Sequence, residues 1–248
     1  MAVSPLSRHT PARQHSVAAE GWQPERVSAA VAPLSQANFI RLARFVYDYC
    51  GIRITEKKRT MLDSRLRRRM RVLGIADING YCEYLFGDDD ANAETEVIHF
   101  IDAITTNKTD FYRESAHFDY LRAKILPHLA EAGQHTIRIW CAASSIGAEP
   151  YTLAMELEDF CQPRPGVSYN IVATDICTEV LLKAVNGRYP IPMMEPIPED
   201  RRRKYIMLPR DPMGQEFRIV PRLRAKVSFQ HLNLMDDRYP LDRNFDVI

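Results

Sequence analysis

Residues 137–155, reading IRIWCAASSIGAEPYTLAM, constrain the fold more than any other stretch of the chain. An apolar β-type run leads into a turn of small residues around Gly147 and then into an apolar-periodic helix. Such a strand-loop-helix turn suits a ligand: small side chains let it approach the backbone, and the helix start offers N–H groups and a positive dipole end. Glu149 sits where the loop becomes helix. A second apolar run, Tyr169-Asn170-Ile171-Val172-Ala173, ends at Thr174-Asp175, which puts an acid at the carboxyl end of a second strand. Together these predict an α/β fold with a nucleotide-type cofactor site.

At 248 residues, with 46% hydrophobic and 26% charged residues, the chain has material for one sizeable core or a core plus a small module. A net charge of +1 excludes a surface built throughout for nucleic acid, so any electrostatic role must come from local clustering. Cysteines 50, 82, 141, 161 and 177 are odd in number and widely spaced, with no C-x-x-C, and read as reduced thiols of a cytoplasmic protein. No apolar run reaches the roughly 18 residues of a membrane span, so no membrane insertion is expected.

Residues 1–33, rich in Ser, Pro, Ala, Arg and His, predict a disordered tail. Their shortage of acids resembles a transit peptide, but no amphipathic helix emerges. From 34 to 104 the apolar residues recur at helical spacing: Phe39, Leu42, Ala43, Val46; Leu62, Leu66, Met70, Leu73; Tyr81, Tyr84, Leu85; Val97, Ile98, Ile101. That pattern predicts a small all-helical domain, with turns at 77–80 and 87–92 and with Ser35 and Thr55 as N-caps. Residues 105–115 form a linker to the cofactor site, and 116–248 a second domain that opens with a helix over 116–132. There strand 137–140, helix 150–160, strand 169–173 and helix 178–185 alternate, which implies a parallel sheet. The alternation breaks over about 189–226, where prolines and the runs 217–220 and 223–227 predict an inserted antiparallel β-subdomain. It resumes with 227–232, Asn233-Leu234 at a strand end, and a last strand over 245–248. A parallel sheet whose final strand lacks a covering helix leaves an apolar edge, so the sheet is expected to be incomplete and the chain a fragment.

Four dispersed motifs carry a resemblance. They are Thr106-Asn107-x-Thr109-x-Phe111-Tyr112-Arg113-Glu114; Ala143-x-Ser145-x-Gly147-x-Glu149-Pro150-Tyr151-Thr152-x-Ala154-Met155; Ala173-Thr174-Asp175-Ile176; and Phe229-x-x-x-Asn233-Leu234. In order and spacing they resemble the chemotaxis receptor methyltransferase (CheR-type) family, over about 34–248. The resemblance implies a helical N-terminal domain, a class I (Rossmann-like) methyltransferase sheet domain and an inserted β-subdomain. It implies S-adenosylmethionine as cofactor, S-adenosylhomocysteine as product, no metal, and methylation of glutamate side chains on the cytoplasmic helices of chemoreceptors.

Residue by residue, the resemblance places Asn107, Thr109 and Arg113 at the methionine end, with Arg113 nearest the methyl group. Glu149 becomes the partner of the α-ammonium, Asp175 of the ribose hydroxyls, and Asn233 and Leu234 the adenine-side contacts. On its own Glu149 reads sooner as a first-turn helix acid held by the dipole, whereas Asp175, at a strand end, has the stronger geometry for ribose hydroxyls, with capping of the next helix as its plain alternative. The basic run Lys57, Lys58, Arg59, Arg65, Arg67, Arg68, Arg69, Arg71 is by itself a solvated helix face. In the family it faces the acidic receptor, so docking through 57–71 is expected, with the protein a monomer and no nucleic-acid partner. Some members tether a receptor pentapeptide on the β-subdomain through a glycine-rich turn. This chain has Asp211-Pro212-Met213-Gly214-Gln215 with one glycine, and independence of that tether is expected.

Two positions depart from the family: Ala148 stands where paired glutamates begin, and Ile146 replaces a small polar residue. They support an alternative, a weakly active or inactive methyltransferase-like adaptor. A further alternative reads Ala143-x-Ser145-x-Gly147 as a variant nucleophile elbow, with Ser145 the nucleophile of a serine hydrolase and His231 its only downstream histidine.

Overall fold

A computed structural model describes residues 32–87, 91–211, 213–241 and 244–248. The expected tail lies outside them up to residue 31, as do 88–90 of the second turn and Pro212 of the 211–215 loop.

Helix α1 (Gln36–Cys50) starts at Ser35, whose hydroxyl accepts from the Asn38 N–H at 3.2 Å, and stops at Gly51 in the left-handed region, φ 72°. Thr55 makes no capping bond; it precedes a single 3₁₀ turn, Glu56–Lys58, that runs into α2 (Arg59–Leu73). Asp77 caps α3 (Ile78–Leu85) by accepting from Gly80 N–H at 3.0 Å, and α4 (Ala91–Ile104) closes the group. Phe39, Leu42, Val46, Leu62, Leu66, Met70, Tyr81, Leu85 and Ile101 form its core, as the periodicity requires. Phe100 and Ile104 join them, whereas Ile98 is turned outward.

The next helix is continuous but uneven: α5 (Ser115–Tyr120), a π segment Leu121–Ile125, and α6 (Leu126–Glu131). Pro127 explains the widening, because it has no N–H for the carbonyl four residues back and its ring crowds that carbonyl.

Three strands form a parallel sheet in the order β1 (Thr136–Ala142), β2 (Ser168–Asp175), β6 (Val227–His231). Its register pairs Ile139 with Ile171 and Asp175 with His231. Helices α7 (Ala148–Cys161) and α8 (Thr178–Asn186) follow β1 and β2. Alternating residues of β1 are buried, with Ile137, Ile139 and Cys141 packed in one core with Tyr151, Ala154 and Met155 of α7. The expected strand over 245–248 reduces to one bridge, Val247 to Ile139, with Trp140 N–H donating to Val247 O at 3.0 Å.

The insertion contains a second, antiparallel sheet ordered β3 (Arg188–Pro190), β5 (Glu216–Ile219), β4 (Ile206–Met207). Helix α9 (Glu199–Tyr205) precedes β4. The strand expected at 223–227 is instead the end of a short helix, α10 (Pro221–Arg224), then a turn at Ala225 and Lys226, with only Val227 of that run in β6. Pro221 is well placed for this, since its fixed φ suits a first helical turn and its missing N–H would be unpaired there anyway.

Side chains tie the helical layer to the sheet. The Asp102 carboxylate accepts from the N–H of Thr178 at 2.8 Å and from its hydroxyl at 2.5 Å, at the start of α8. Asn233, just after β6, donates its amide to Tyr49 O of α1 at 2.6 Å. Among the described residues no helix is long and apolar enough to cross a membrane, and all five cysteines are unpaired.

Candidate active site

The carboxyl ends of β1 and β2 face the 105–118 segment across a cavity of about 770 Å³. Parallel sheets offer their open ligand crevice at this end, where loops rather than helices cover the strand tips. Its walls mix apolar side chains, among them Ile139, Leu153 and Ile176, with a few polar groups that converge from separate elements.

Backbone conformation marks the same place. Among the described residues, four that are not glycine adopt left-handed φ: Tyr112 (53°), Glu114 (57°), Ala143 (55°) and Ser145 (51°). Each such residue costs on the order of 1–3 kcal/mol and persists only where its surroundings over-determine it. One pair flanks Arg113 and the other flanks Ser144. Their restraints are visible: Tyr112 N–H donates to Thr152 Oγ1 at 3.2 Å, Ser144 N–H to Thr174 O at 2.8 Å, and Ser145 N–H to Asp175 Oδ2 at 2.7 Å. Ser145 Oγ donates to Asn107 O at 3.0 Å, joining the β1 loop to the 105–115 linker.

Gly147 has a different task from the one its motif suggested. Its φ is 88°, and a Cβ there would lie 2.9 Å from Ala184 Cβ and 3.1 Å from the Tyr189 hydroxyl. The glycine lets the loop turn against α8 and the insertion; Ala142, Ala143 and Ser145 are the loop residues that line the cavity.

Asn107, Thr109 and Arg113 from the linker, Glu149 from the first turn of α7 and Asp175 from the end of β2 all line this one cavity. Arg113 is exposed and steadied by donating to Lys108 O at 3.1 Å. Desolvation in the cleft raises the Glu149 carboxyl above the ordinary glutamate value, and the nearby His117 and Arg113 charges pull it back in part. Asp175 accepts from Ser145 N–H and, at 2.9 Å, from Cys177 N–H, so it holds the loop and the entry to α8 together. A carboxylate has about four acceptor positions, which leaves capacity for ligand hydroxyls.

Asn233 and Leu234 are not among the cavity residues. The Asn233 amide is committed to Tyr49 O, its Oδ1 accepts from Met235 N–H at 3.0 Å, and Leu234 lies 47% exposed. His117, Trp140 and Ile52, to which no sequence motif assigned a role, also stand on the cavity wall, beside Ile176 of the Ala173–Ile176 motif. His117 stands four residues after Arg113, a spacing that could have signalled it; Ile52 comes from the loop after α1, which no local pattern connects to this site.

The serine hydrolase alternative is not supported. Ser145 Oγ is spent on a backbone carbonyl rather than on a histidine, and His231 is exposed at the end of β6.

The basic run divides in two. Arg59 donates to Gln36 and Leu34 O, Arg65 to the end of α4, Arg67 pairs with Asp63, and Arg69 forks onto buried Glu96 at 2.6–2.9 Å. These four hold the helical layer together. Lys57, Lys58, Arg68 and Arg71 are exposed.

The site therefore brings together, from separate elements, two carboxylates able to accept from an ammonium or from hydroxyls, apolar walls, and an exposed guanidinium anchored to Lys108 O. That donor set fits an aminoacyl-nucleoside ligand. Residues 107–248 match the family described as "CheR methyltransferase, SAM binding domain", and residues 37–105 match "CheR methyltransferase, all-alpha domain". The chain belongs to the CheR methyltransferase family, and S-adenosylmethionine is its cofactor. Its relatives include a chemotaxis protein methyltransferase of Borreliella burgdorferi, 38% identical over 213 residues that span 84% of this chain and 73% of that protein. Those of Salmonella typhimurium and Escherichia coli are each 35% identical over 215 residues, 87% of this chain and 72% of theirs.

Proposed function

We propose that this chain transfers the methyl group of S-adenosylmethionine to glutamate side chains on the cytoplasmic helices of chemoreceptors. The observation that carries this reading is the convergence of Asn107, Thr109, Arg113, Glu149 and Asp175 on one cavity from three separate segments. The names of the relatives support the receptor as substrate.

When bound, S-adenosylmethionine supplies a methyl already activated on a sulfonium. The acceptor is a glutamate carboxylate, which with a pKa near 4.3 is ionised at neutral pH and needs no general base. The protein's contribution is alignment. Glu149 pairs with the α-ammonium and Asp175 with the ribose, with Asn107 and Thr109 beside the methionine end. Arg113 directs the incoming carboxylate by charge-assisted hydrogen bonds. Its hold must stay loose, because stabilising the bound carboxylate alone would not speed transfer; an exposed arginine with one backbone anchor suits that need. Ile52 and Ile176 supply an apolar wall for the adenine. Asn233 and Leu234 would join them only if the Asn233 amide left Tyr49 O.

We assign residues 34–104 to a receptor-facing domain, 105–115 to a linker that completes the site, and 116–248 to the S-adenosylmethionine domain, with the insertion over about 189–226. The exposed Lys57, Lys58, Arg68 and Arg71 would meet the acidic receptor surface as a monomer, without a pentapeptide tether. Calorimetric titration with S-adenosylmethionine, followed by incubation with methyl-labelled cofactor and a receptor cytoplasmic fragment, tests the reading. Binding with base-labile label on the receptor is expected. Binding without transfer would favour the adaptor, and absence of binding would remove the enzyme reading.

A further inference from the structure

Helix α7 carries a buried acid, outside the cavity lining, that the transfer itself does not use. The Glu156 side chain on α7 is 0% exposed, yet it receives three partners from three elements. Arg122 of the π segment donates at 2.9 Å, Arg201 of α9 approaches to 3.5 Å, and the Tyr112 hydroxyl donates at 2.7 Å. A buried carboxylate is costly unless its charge is met. Two guanidiniums meet that charge, so the tyrosine is not needed for neutralisation. Its presence calls for another reason.

Tyr112 immediately precedes Arg113 and carries one of the left-handed φ values. Two points on α7, four residues apart and so on one face, hold it: Thr152 Oγ1 accepts its N–H, and Glu156 accepts its O–H. Thr152 Oγ1 is itself fixed by donating to Ala148 O at 2.8 Å. On the other side Phe111 is fully buried, edge-on to Tyr189 of β3 at 5.0 Å. The residue before Arg113 is thus pinned to the helix whose first turn presents Glu149. Arg201 carries the same network into the insertion, where it also pairs with Asp159 at 2.8 Å.

We infer that Glu156 is a positioning residue for methyl transfer: through the Tyr112 hydroxyl it fixes where Arg113 stands relative to Glu149. The network makes the insertion part of the active-site frame, since α9 contributes one of the charges that holds Glu156 in place. The inference rests on the assignment of Arg113 to the incoming carboxylate.

Glu156→Gln removes the charge that two arginines neutralise and endangers the fold, so Tyr112→Phe is the primary variant. It deletes one hydroxyl and leaves every ion pair intact. In the ligand-free protein, amide hydrogen exchange of the 108–115 segment should rise, while S-adenosylmethionine affinity and thermal midpoint stay near wild type. With cofactor and receptor fragment, kcat should fall about 10-fold or more with receptor KM little changed, since small misplacements can cost up to ~10²-fold. In an Arg113→Ala background, Tyr112→Phe should cause no further loss of kcat, because both act through one group. Wild-type exchange and kcat in Tyr112→Phe, or losses that simply multiply in the double variant, would overturn the inference. The two assignments fail separately: full turnover by Arg113→Ala would remove the role of Arg113 itself, whereas an impaired Arg113→Ala beside an unaffected Tyr112→Phe would remove only that of Glu156.

Discussion

Glu149 illustrates how one side chain's surroundings set a measurable pH dependence. Desolvation raises its carboxyl pKa, with His117 and Arg113 opposing. Pairing with an ammonium requires the charged form, so S-adenosylmethionine affinity should fall as pH drops through that raised value, earlier than for an ordinary glutamate. Glu149→Gln should bind roughly 10- to 100-fold more weakly, the loss expected for a charge-assisted bond, and without this pH dependence; calorimetry from neutral to mildly acidic pH checks both. Stability runs in the opposite sense. The folded pKa exceeds the unfolded one, so the folded chain binds more protons in that window and the cost of the buried charge is relieved on acidification. Ligand-free Glu149→Gln should therefore melt no lower than wild type at neutral pH. The acids Glu149 and Asp175 were legible because strand ends and helix starts are local patterns. Asn233 was not: its partner Tyr49 lies 184 positions away, and nothing near an Asn-Leu pair reveals that the amide is already committed.

Between elements, single residues govern how the layers meet. Asp102 on α4 is 7% exposed and accepts twice from Thr178 at the start of α8. Asp102→Ala would strand the partly buried Thr178 N–H and should destabilise the fold by about 1–2 kcal/mol, read from denaturant unfolding. Gly147→Ala should cost at least as much, combining a left-handed φ for alanine, about 1–2 kcal/mol, with a Cβ forced to 2.9 Å from Ala184. An undiminished unfolding midpoint in either variant would contradict the packing described. Amphipathic helices α1 to α4 and the β1–loop–α7 unit could be read from periodicity, because their apolar faces repeat locally. Helix α9, Glu-Asp-Arg-Arg-Arg-Lys-Tyr, has almost no apolar stripe; it is held by Arg201 to Glu156 and Asp159 and by Lys204 to Asp159 at 3.0 Å. Those partners sit about 45 positions away, beyond any local pattern. The strand expected over 223–227 is overturned by a local signal instead: Pro221 starts a short helix two residues before that run.

At the scale of the whole molecule, a net charge of +1 hides a local separation of charge. Half of the basic run is absorbed in ion pairs and backbone bonds, leaving Lys57, Lys58, Arg68 and Arg71 exposed. If these steer the receptor encounter, raising salt should lower kcat/KM for receptor while leaving S-adenosylmethionine affinity nearly constant, because exposed charges are screened beyond about 8 Å at physiological ionic strength. Reversing Lys57 and Arg68 to glutamate should reproduce the effect at low salt. The central claim is that the cavity joins a cofactor pocket to a guanidinium that aligns a glutamate carboxylate. Its most direct test is methyl transfer from labelled S-adenosylmethionine to a receptor cytoplasmic fragment by wild type and Arg113→Ala, with cofactor affinity measured on both. The account requires comparable affinity, methyl esters on receptor glutamates with wild type, and a rate roughly 10²-fold lower without the guanidinium. Equal rates for the two proteins, or cofactor binding by wild type with no ester formed, would contradict it.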